Sequence, residues 1–433
     1  MKKCVLAGLT AWMIFFTAGC GNVHQGDPNA ITVWHWMADR HEAFLQLAER
    51  YKEKTGVAVN FQLFTPSDIY SQKITAAAQA GILPDIFGIL DKTSVIAEFI
   101  KSGFVLNLKD TFAENDSEWQ RRFFEKALAV NAFEKGNTYG LEPGIYGVPL
   151  DMTNMQMVYN KKLLKDAGIE MPPSTFDEFV AMAPKLRAIG VTPFVSGWGE
   201  LWLIDCFSSN YAFNIMGEDK VMATYRGEVP YTDPDWIAVF RIFQVMARED
   251  VVDQGIVIKR NKFAEQDFAL GRAAFAFNGS WCVNVYHGMN PDLDYGVLLP
   301  PPVSKRYPLF IWGGAGSSFV INAHSSKQDK SIMFLQWLTE KDQQKFLSEA
   351  TANLPANRYA LADLPPELAD FAGGMEHLTH PTLWPVEEDA VVKEKFTKGL
   401  QSILIGEKTP QQVAQDIQAA KTRQVERAGA RRR

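Results

Sequence analysis

Ile31-Thr32-Val33-Trp34-His35-Trp36 opens the body of the chain with a β-branched and aromatic run that reads as a buried strand. A helix follows, because Phe44, Leu47, Ala48 and Tyr51 recur at i, i+3, i+4 and i+7 and Gly56 stands where a C-terminal cap belongs. Val57 to Phe64 alternates as a second strand. Another helix, roughly Ile69 to Ala80, leads through Gly81 and Pro84 into Asp85-Ile86-Phe87-Gly88-Ile89-Leu90. Strand and helix thus alternate as in a parallel α/β sheet. In such sheets ligands sit beyond the carboxyl ends of the strands, which puts Trp36, Asp39 and Asp91 near any pocket.

Downstream the style repeats. Gly147-Val148-Pro149-Leu150-Asp151 leads to Val158-Tyr159-Asn160-Lys161 and a helix ending at Ala167-Gly168. In Pro172-Pro173-Ser174-Thr175-Phe176-Asp177-Glu178, Thr175 and Glu178 form a capping box that starts the next helix. Asp233-Pro234 opens another helix, with Ile237, Phe240 and Phe243 on one side. Thr409-Pro410-Gln411-Gln412 opens the last, combining N-cap, N1 proline and capping-box glutamine. No tandem repeat or low-complexity block interrupts the chain.

The N-terminus decides the compartment. Lys2 and Lys3 precede a roughly twelve-residue apolar run, Val5 to Phe16, and then Ala18, Gly19 and Cys20, the order of a secretory signal. The run is short for a membrane span. Thr17-Ala18-Gly19-Cys20 resembles the lipobox of bacterial lipoproteins, with Thr17 in place of the usual leucine. The resemblance implies cleavage after residue 19 and a diacylglycerol and palmitate on Cys20; the alternative is an ordinary signal with an incidental cysteine. Residues 20–29 are polar and read as a tether. Cys206 and Cys282 remain, either paired in an oxidising compartment or packed as two buried thiols.

Cleavage leaves 414 of the 433 residues, enough for two large lobes, and takes the formal charge from −6 to −8. With the two signs interspersed, an acidic chain is a poor nucleic-acid binder. Arg431-Arg432-Arg433 after Ala428-Gly429-Ala430 reads as a solvated tail over 424–433.

Three fragments carry a more specific resemblance. The first is Tyr159-Asn160-Lys161 with Ala167-Gly168 and Pro173-x-Thr175-Phe176-x-Glu178. The second is Phe268-x-x-Gly271-Arg272-Ala273-Ala274 followed by Phe277-Asn278-Gly279-Ser280-Trp281. The third is Gly313-Gly314 before Ser318-Phe319-Val320-Ile321 and the helix around Phe334, Leu335, Trp337 and Leu338. In this order, from Ile31 to about Arg423, the chain resembles the extracellular sugar-binding proteins of ATP-binding-cassette importers, the group that includes maltose-binding protein. The resemblance implies an α/β fold of two lobes joined by several hinge-crossing segments. It assigns 30–148 plus 312–355 to an N-terminal lobe and 149–311 plus 356–423 to a C-terminal lobe. It further implies a monomer that closes over its solute and is read by membrane permease subunits, held near them by the lipid.

Sugar chemistry fits the residues. A pyranose offers apolar faces and a rim of hydroxyls, so its site needs aromatic platforms together with carboxylates or amides. Among the eleven tryptophans, Trp36, Trp198, Trp202, Trp281, Trp312 and Trp384 fall at expected strand ends or loops, where the alternative for each is core packing. Gly197-Trp198-Gly199-Glu200-Leu201-Trp202 is the richest cluster and is expected to form a loop carrying exposed rings beside Glu200. Asp91 and Asp151 follow expected strands or crossings and serve as hydroxyl acceptors or as turn caps. Asn278 precedes Trp281 in the second fragment. Gly313 and Gly314 let backbone approach a ligand or relieve a tight crossing.

Other classes are disfavoured. A secreted glycoside hydrolase needs two carboxylates about 5 to 10 Å apart, and fifty acidic residues designate no pair. There is neither a phosphate-binding Gly-x-x-x-x-Gly-Lys-[Ser/Thr] loop nor a Gly-x-Ser-x-Gly elbow. His377-x-x-His380 is the only close histidine pair, so no metal, cofactor or catalytic set is expected. A polyamine or peptide bound by the same fold is the remaining alternative, since aromatic rings and carboxylates also suit a cation.

Overall fold

Every second side chain of Ile31–His35 is buried, and the strand becomes the first inner strand of a sheet. It pairs in parallel with Val59–Leu63 (Ile31 opposite Val59) and with Ile86–Ile89 (Val33 opposite Ile86). The helix His41–Thr55 buries Phe44, Leu47, Ala48 and Tyr51, as its period requires, and stops at Gly56 (φ 75°), whose N–H donates to Lys52 O at 2.7 Å. The computed structural model describes residues 29–65, 67–89, 93–137, 139–253, 255–364, 366–379 and 388–431. The signal sequence, Cys20, the tether before Asn29, Asp91, His380 and Trp384 lie outside the described residues.

The expectation of a parallel sheet holds for these first strands and again in the second lobe, where Thr192–Val195 runs parallel to Ala273–Gly279, but not for the strands between them. Across the molecule the order is Val59–Leu63, Ile31–His35, Ile86–Ile89, Ile311–Ile321, Val148–Asn160, Ala273–Gly279 and Thr192–Val195. Ile311–Ile321 runs antiparallel to both of its neighbours, and Val148–Asn160 is antiparallel to Ala273–Gly279. The reason is connectivity, because a strand that returns from one lobe to the other runs against the strand that left.

Val148–Asn160 is thirteen residues long and buried at all but one of them. Its first part pairs with Ile311–Ile321 and its last part with Ala273–Gly279. Val148 and Leu150 belong to a core with Phe44, Phe61, Phe319 and Trp337, whereas Met155 and Met157 belong to another with Phe194, Phe207, Phe243 and Phe275. One strand thus serves two hydrophobic interiors, which is the two-lobed α/β arrangement. Ile311–Ile321 makes the return crossing, and Leu354–Pro355 lies on the first crossing strand with Leu354 opposite Met152.

Local signals place the second lobe's helices. Thr175 Oγ1 accepts from Glu178 N at 3.2 Å and starts Phe176–Ala188, while the Glu178 carboxylate reaches back to Ser174. Thr409 and Gln412 make the reciprocal pair at 3.2 and 2.9 Å that opens Pro410–Arg431. That helix corrects the expected tail. The chain is helical through Arg431, and Val425 packs beside Gly227, so 424–431 continues the helix Pro410–Arg431. Cys206 and Cys282 are free buried thiols, both pushed up by burial, so the pairing left open by the sequence is not made. Among the described residues no helix is long and apolar enough to cross a membrane.

Candidate functional site

Where the lobes face each other, a cavity of about 430 Å³ is lined by Asp39, Arg40, Asp151, Thr153, Trp202, Trp281, Asn284, Val285, Trp312, Ala315, Gly316, Thr351 and Asn353. The size lies within the ~300–1,000 Å³ of small-molecule sites. Its two walls differ in chemistry.

The polar wall is built around Arg40, at the end of the short 3-10 turn Ala38–Arg40 that feeds the first long helix. Its Nη2 lies 2.7 Å from Asp151 Oδ2 and donates to Asn353 Oδ1 at 3.2 Å. Its Nη1 donates to Ser317 Oγ at 2.7 Å, and Ser317 Oγ donates to Asp151 Oδ1 at 2.6 Å. Asp39 Oδ2 stands 3.2 Å from Arg40 Nε and accepts from Asn353 Nδ2 at 3.4 Å. Burial pushes the Asp151 carboxyl upward, and the Arg40 guanidinium and the Ser317 hydroxyl pull against it. Asp151 is 3% exposed and Asp39 43%, so Asp39 is the carboxylate presented to solvent.

The aromatic wall comes from the second lobe and a crossing strand. Trp202 lies in the first turn of Leu201–Arg226, and its ring is 6.0 Å from that of Trp281 at 47°. Each indole is held by a carboxylate. Trp202 Nε1 donates to Glu200 Oε2 at 3.1 Å, while Glu200 Oε1 accepts from Asn261 N at 2.9 Å. Trp281 hydrogen-bonds Glu265, whose pKa burial raises against the bonds from Asn278, Trp281 and Asn261. Trp312 enters from the strand Ile311–Ile321.

Five residues singled out by sequence therefore line one cavity: Asp39, Asp151, Trp202, Trp281 and Trp312. Trp198 is corrected. It is fully buried among Phe194, Phe207 and Phe243, because the turn that follows the strand Thr192–Val195 sends it into the second core and only four residues later does the helix turn Trp202 outward. Gly197–Trp202 is thus not a loop of exposed rings. Glu200 and Asn278 stand behind the wall. Asn278 Nδ2 donates to Glu265 Oε1 at 3.0 Å, and neither residue lines the cavity. Trp36 packs on Gly88 and Tyr70, outside this cavity. Gly313 relieves a tight crossing, since an added Cβ would come 2.4 Å from Leu378 Cδ2 and 2.8 Å from Thr153 O; Gly314, next along Ile311–Ile321, pairs with Thr153 of Val148–Asn160. The sequence reading missed Arg40, Asn353, Thr153 and Asn284. Arg40 adjoins Asp39 in the sequence, but its partners are scattered along the chain.

Comparisons with known proteins bear on the family and the fold. The family model described as bacterial extracellular solute-binding protein matches residues 37–345. A protein of Brucella abortus (strain 2308), named only as a binding protein, is 25% identical over 441 residues, covering 96% of this chain and 97% of its own. The diacetylchitobiose binding protein DasA of Streptomyces coelicolor is 25% identical, covering 83% of each chain. The solved structure of a chitin oligosaccharide binding protein superposes with a TM-score of 0.73 at 21% identity, covering 91% of this chain and 98% of that one.

Proposed function

Because this chain belongs to the bacterial extracellular solute-binding proteins, we propose that it captures a carbohydrate between its lobes and hands it to an ATP-binding-cassette importer. One observation carries the sugar reading: Trp202, Trp281 and Trp312 share a cavity with Asp39, Asp151 and Asn353. The rings suit the C–H faces of a pyranose, and the opposite wall offers acceptors and donors for its hydroxyls. The relative that binds diacetylchitobiose points the same way.

The mechanism is binding without chemistry. Among the described residues the cavity-lining carboxylates are Asp39 and Asp151; both are bound to one guanidinium, and Asp151 is further tied to Ser317, an arrangement unlike an acid and base flanking a scissile bond. Sugar favours the closed form by its extra contacts with the second lobe, and by no more than that difference. The lobes comprise 30–148 with 312–355 and 149–311 with 356–423. The lipid on Cys20 tethers the monomer to the outer face of the cytoplasmic membrane beside its permease subunits.

The test is a thermal-shift screen against sugars, amino acids, peptides and polyamines, since a solute that binds only the folded state raises the melting point. A sugar hit that is recovered uncleaved supports the reading. A cationic ligand is the second reading, because among the described lining residues Arg40 is the one cation facing two carboxylates. A spermidine hit with no sugar hit replaces the carbohydrate assignment.

A further inference from the structure

Three segments join the lobes, and one side chain touches all three. Asp151 lies on the outgoing crossing, Val148–Asn160; Ser317 lies on the return crossing, Ile311–Ile321; Asn353 immediately precedes Leu354–Pro355, the third. Arg40, which belongs to the first lobe, contacts Asp151 at 2.7 Å, Ser317 at 2.7 Å and Asn353 at 3.2 Å. Its three partners are 111, 277 and 313 residues away in the chain, so no local turn explains the convergence.

The contact falls where the crossing strands are irregular. The pairing of Ile311–Ile321 with Val148–Asn160 slips on both sides of Ser317: Ala315 faces Met152, Ser317 faces Asp151 and Ser318 faces Pro149. Such a bulge interrupts the ladder and bends the strand that carries it. A Cβ on Gly316 would lie 3.0 Å from Asp151 Oδ2, so the carboxylate fills the space at the bulge. The backbone ladder is interrupted there, and the guanidinium adds a fork of side-chain bonds at the same place.

We propose that Arg40 is a positioning residue that sets the angle between the lobes and couples it to occupancy of the cleft. The coupling half of this proposal rests on the cleft being the solute site. Arg40, Asp39, Asp151, Gly316 and Asn353 all line the cavity. A hydroxyl that bonds Asp39 or Asn353 enters the same hydrogen-bond network that pins the crossings. A hinge staple remote from the solute would not feel it, and a solute contact remote from the crossings would not transmit it. Five donors in a planar fork allow one side chain to do both, which a lysine ammonium does not reproduce.

The experiment uses the full chain with Arg40→Lys and Ser317→Ala. Ser317→Ala keeps the Arg40–Asp151 pair, removes the two hydrogen bonds of the Ser317 hydroxyl and takes no charge out of the network, so it is the milder variant should Arg40→Lys fail to fold. Small-angle scattering without solute is expected to give both folded variants a larger radius of gyration than wild type, with unchanged circular dichroism. Ser317→Ala with the wild-type radius overturns the proposal. Diacetylchitobiose and spermidine are then added as probes. A probe that contracts the wild type is expected to bind Ser317→Ala at least about 5-fold more weakly, the low end of site-to-site coupling. Equal affinity overturns the coupling. If neither probe contracts the wild type, the solute assignment loses support, while the solute-free radii still decide what Arg40 does.

Discussion

The two walls of the cleft are stabilised by different physics. The polar wall is a buried network in which Arg40, through Nη1 and Nη2, binds Asp151, Ser317 and Asn353, so removing any member leaves buried charge or buried donors behind. The aromatic wall consists of Trp281 and Trp312 at the surface of a large apolar core and of Trp202 beside Trp281, with Trp202 and Trp281 each tied to a carboxylate. Damage to the first wall should therefore appear mainly as lost stability and altered lobe angle. Damage to the second should appear mainly as lost affinity.

Arg40→Ala provides the harshest test of that contrast. It leaves Asp151 buried without its cation, and a loss of about 3–5 kcal/mol in unfolding free energy is expected in urea titrations. A loss below 1 kcal/mol would mean that water reaches Asp151 and that the wall is not closed. Trp202→Ala comes next, with an expected cost of about 2 kcal/mol in sugar affinity by calorimetry, roughly 30-fold, and little change in melting point, since the ring is 43% exposed. If stability falls as much as affinity, the distinction between the walls fails. Glu200→Ala frees the Trp202 indole and the Asn261 N–H and should weaken sugar binding by about 1 kcal/mol, and Glu200→Gln, which keeps an acceptor, should restore most of it.

The smallest effect sharpens the contrast with pH. His35, buried behind Arg40, has its pKa lowered from 6.5 to about 3 by burial first and then by His41 and Arg40. The unfolded chain takes up that proton at 6.5 and the folded chain does not until about 3. His35 therefore contributes stability that is complete above 6.5 and is lost as the pH falls from 6.5 towards 3. Unfolding free energy measured across that window should decline, and His35→Gln should flatten the decline. Acid then loosens the polar side of the cleft, and an unchanged slope in His35→Gln would remove His35 from the account.

Much of the fold was legible because its signals are local. The strand at Ile31, the helix period through Tyr51 and the caps at Thr175 and Thr409 depend on neighbours a few residues away. The site was legible only in outline. Trp198 and Trp202 share one short, glycine-rich stretch, and no spacing rule separates the ring that closes a core from the ring that faces solvent. Glu200 was expected to bind ligand and instead holds Trp202, since composition reveals a carboxylate beside an indole but not which of them faces outward.

The sequence by itself determined the α/β alternation, the capped starts of helices such as those after Thr175 and Thr409, the supply of tryptophans and the presence of acidic side chains at strand ends. Periodicity and capping are properties of consecutive residues, so the chain carries them wherever it folds. Only the tertiary structure decided that Arg40 meets Asp151, Ser317 and Asn353, and that Trp202, Trp281 and Trp312 face them. Those groups are up to 313 residues apart, and their meeting follows from the return of the chain through three crossings that pack against one another in one sheet.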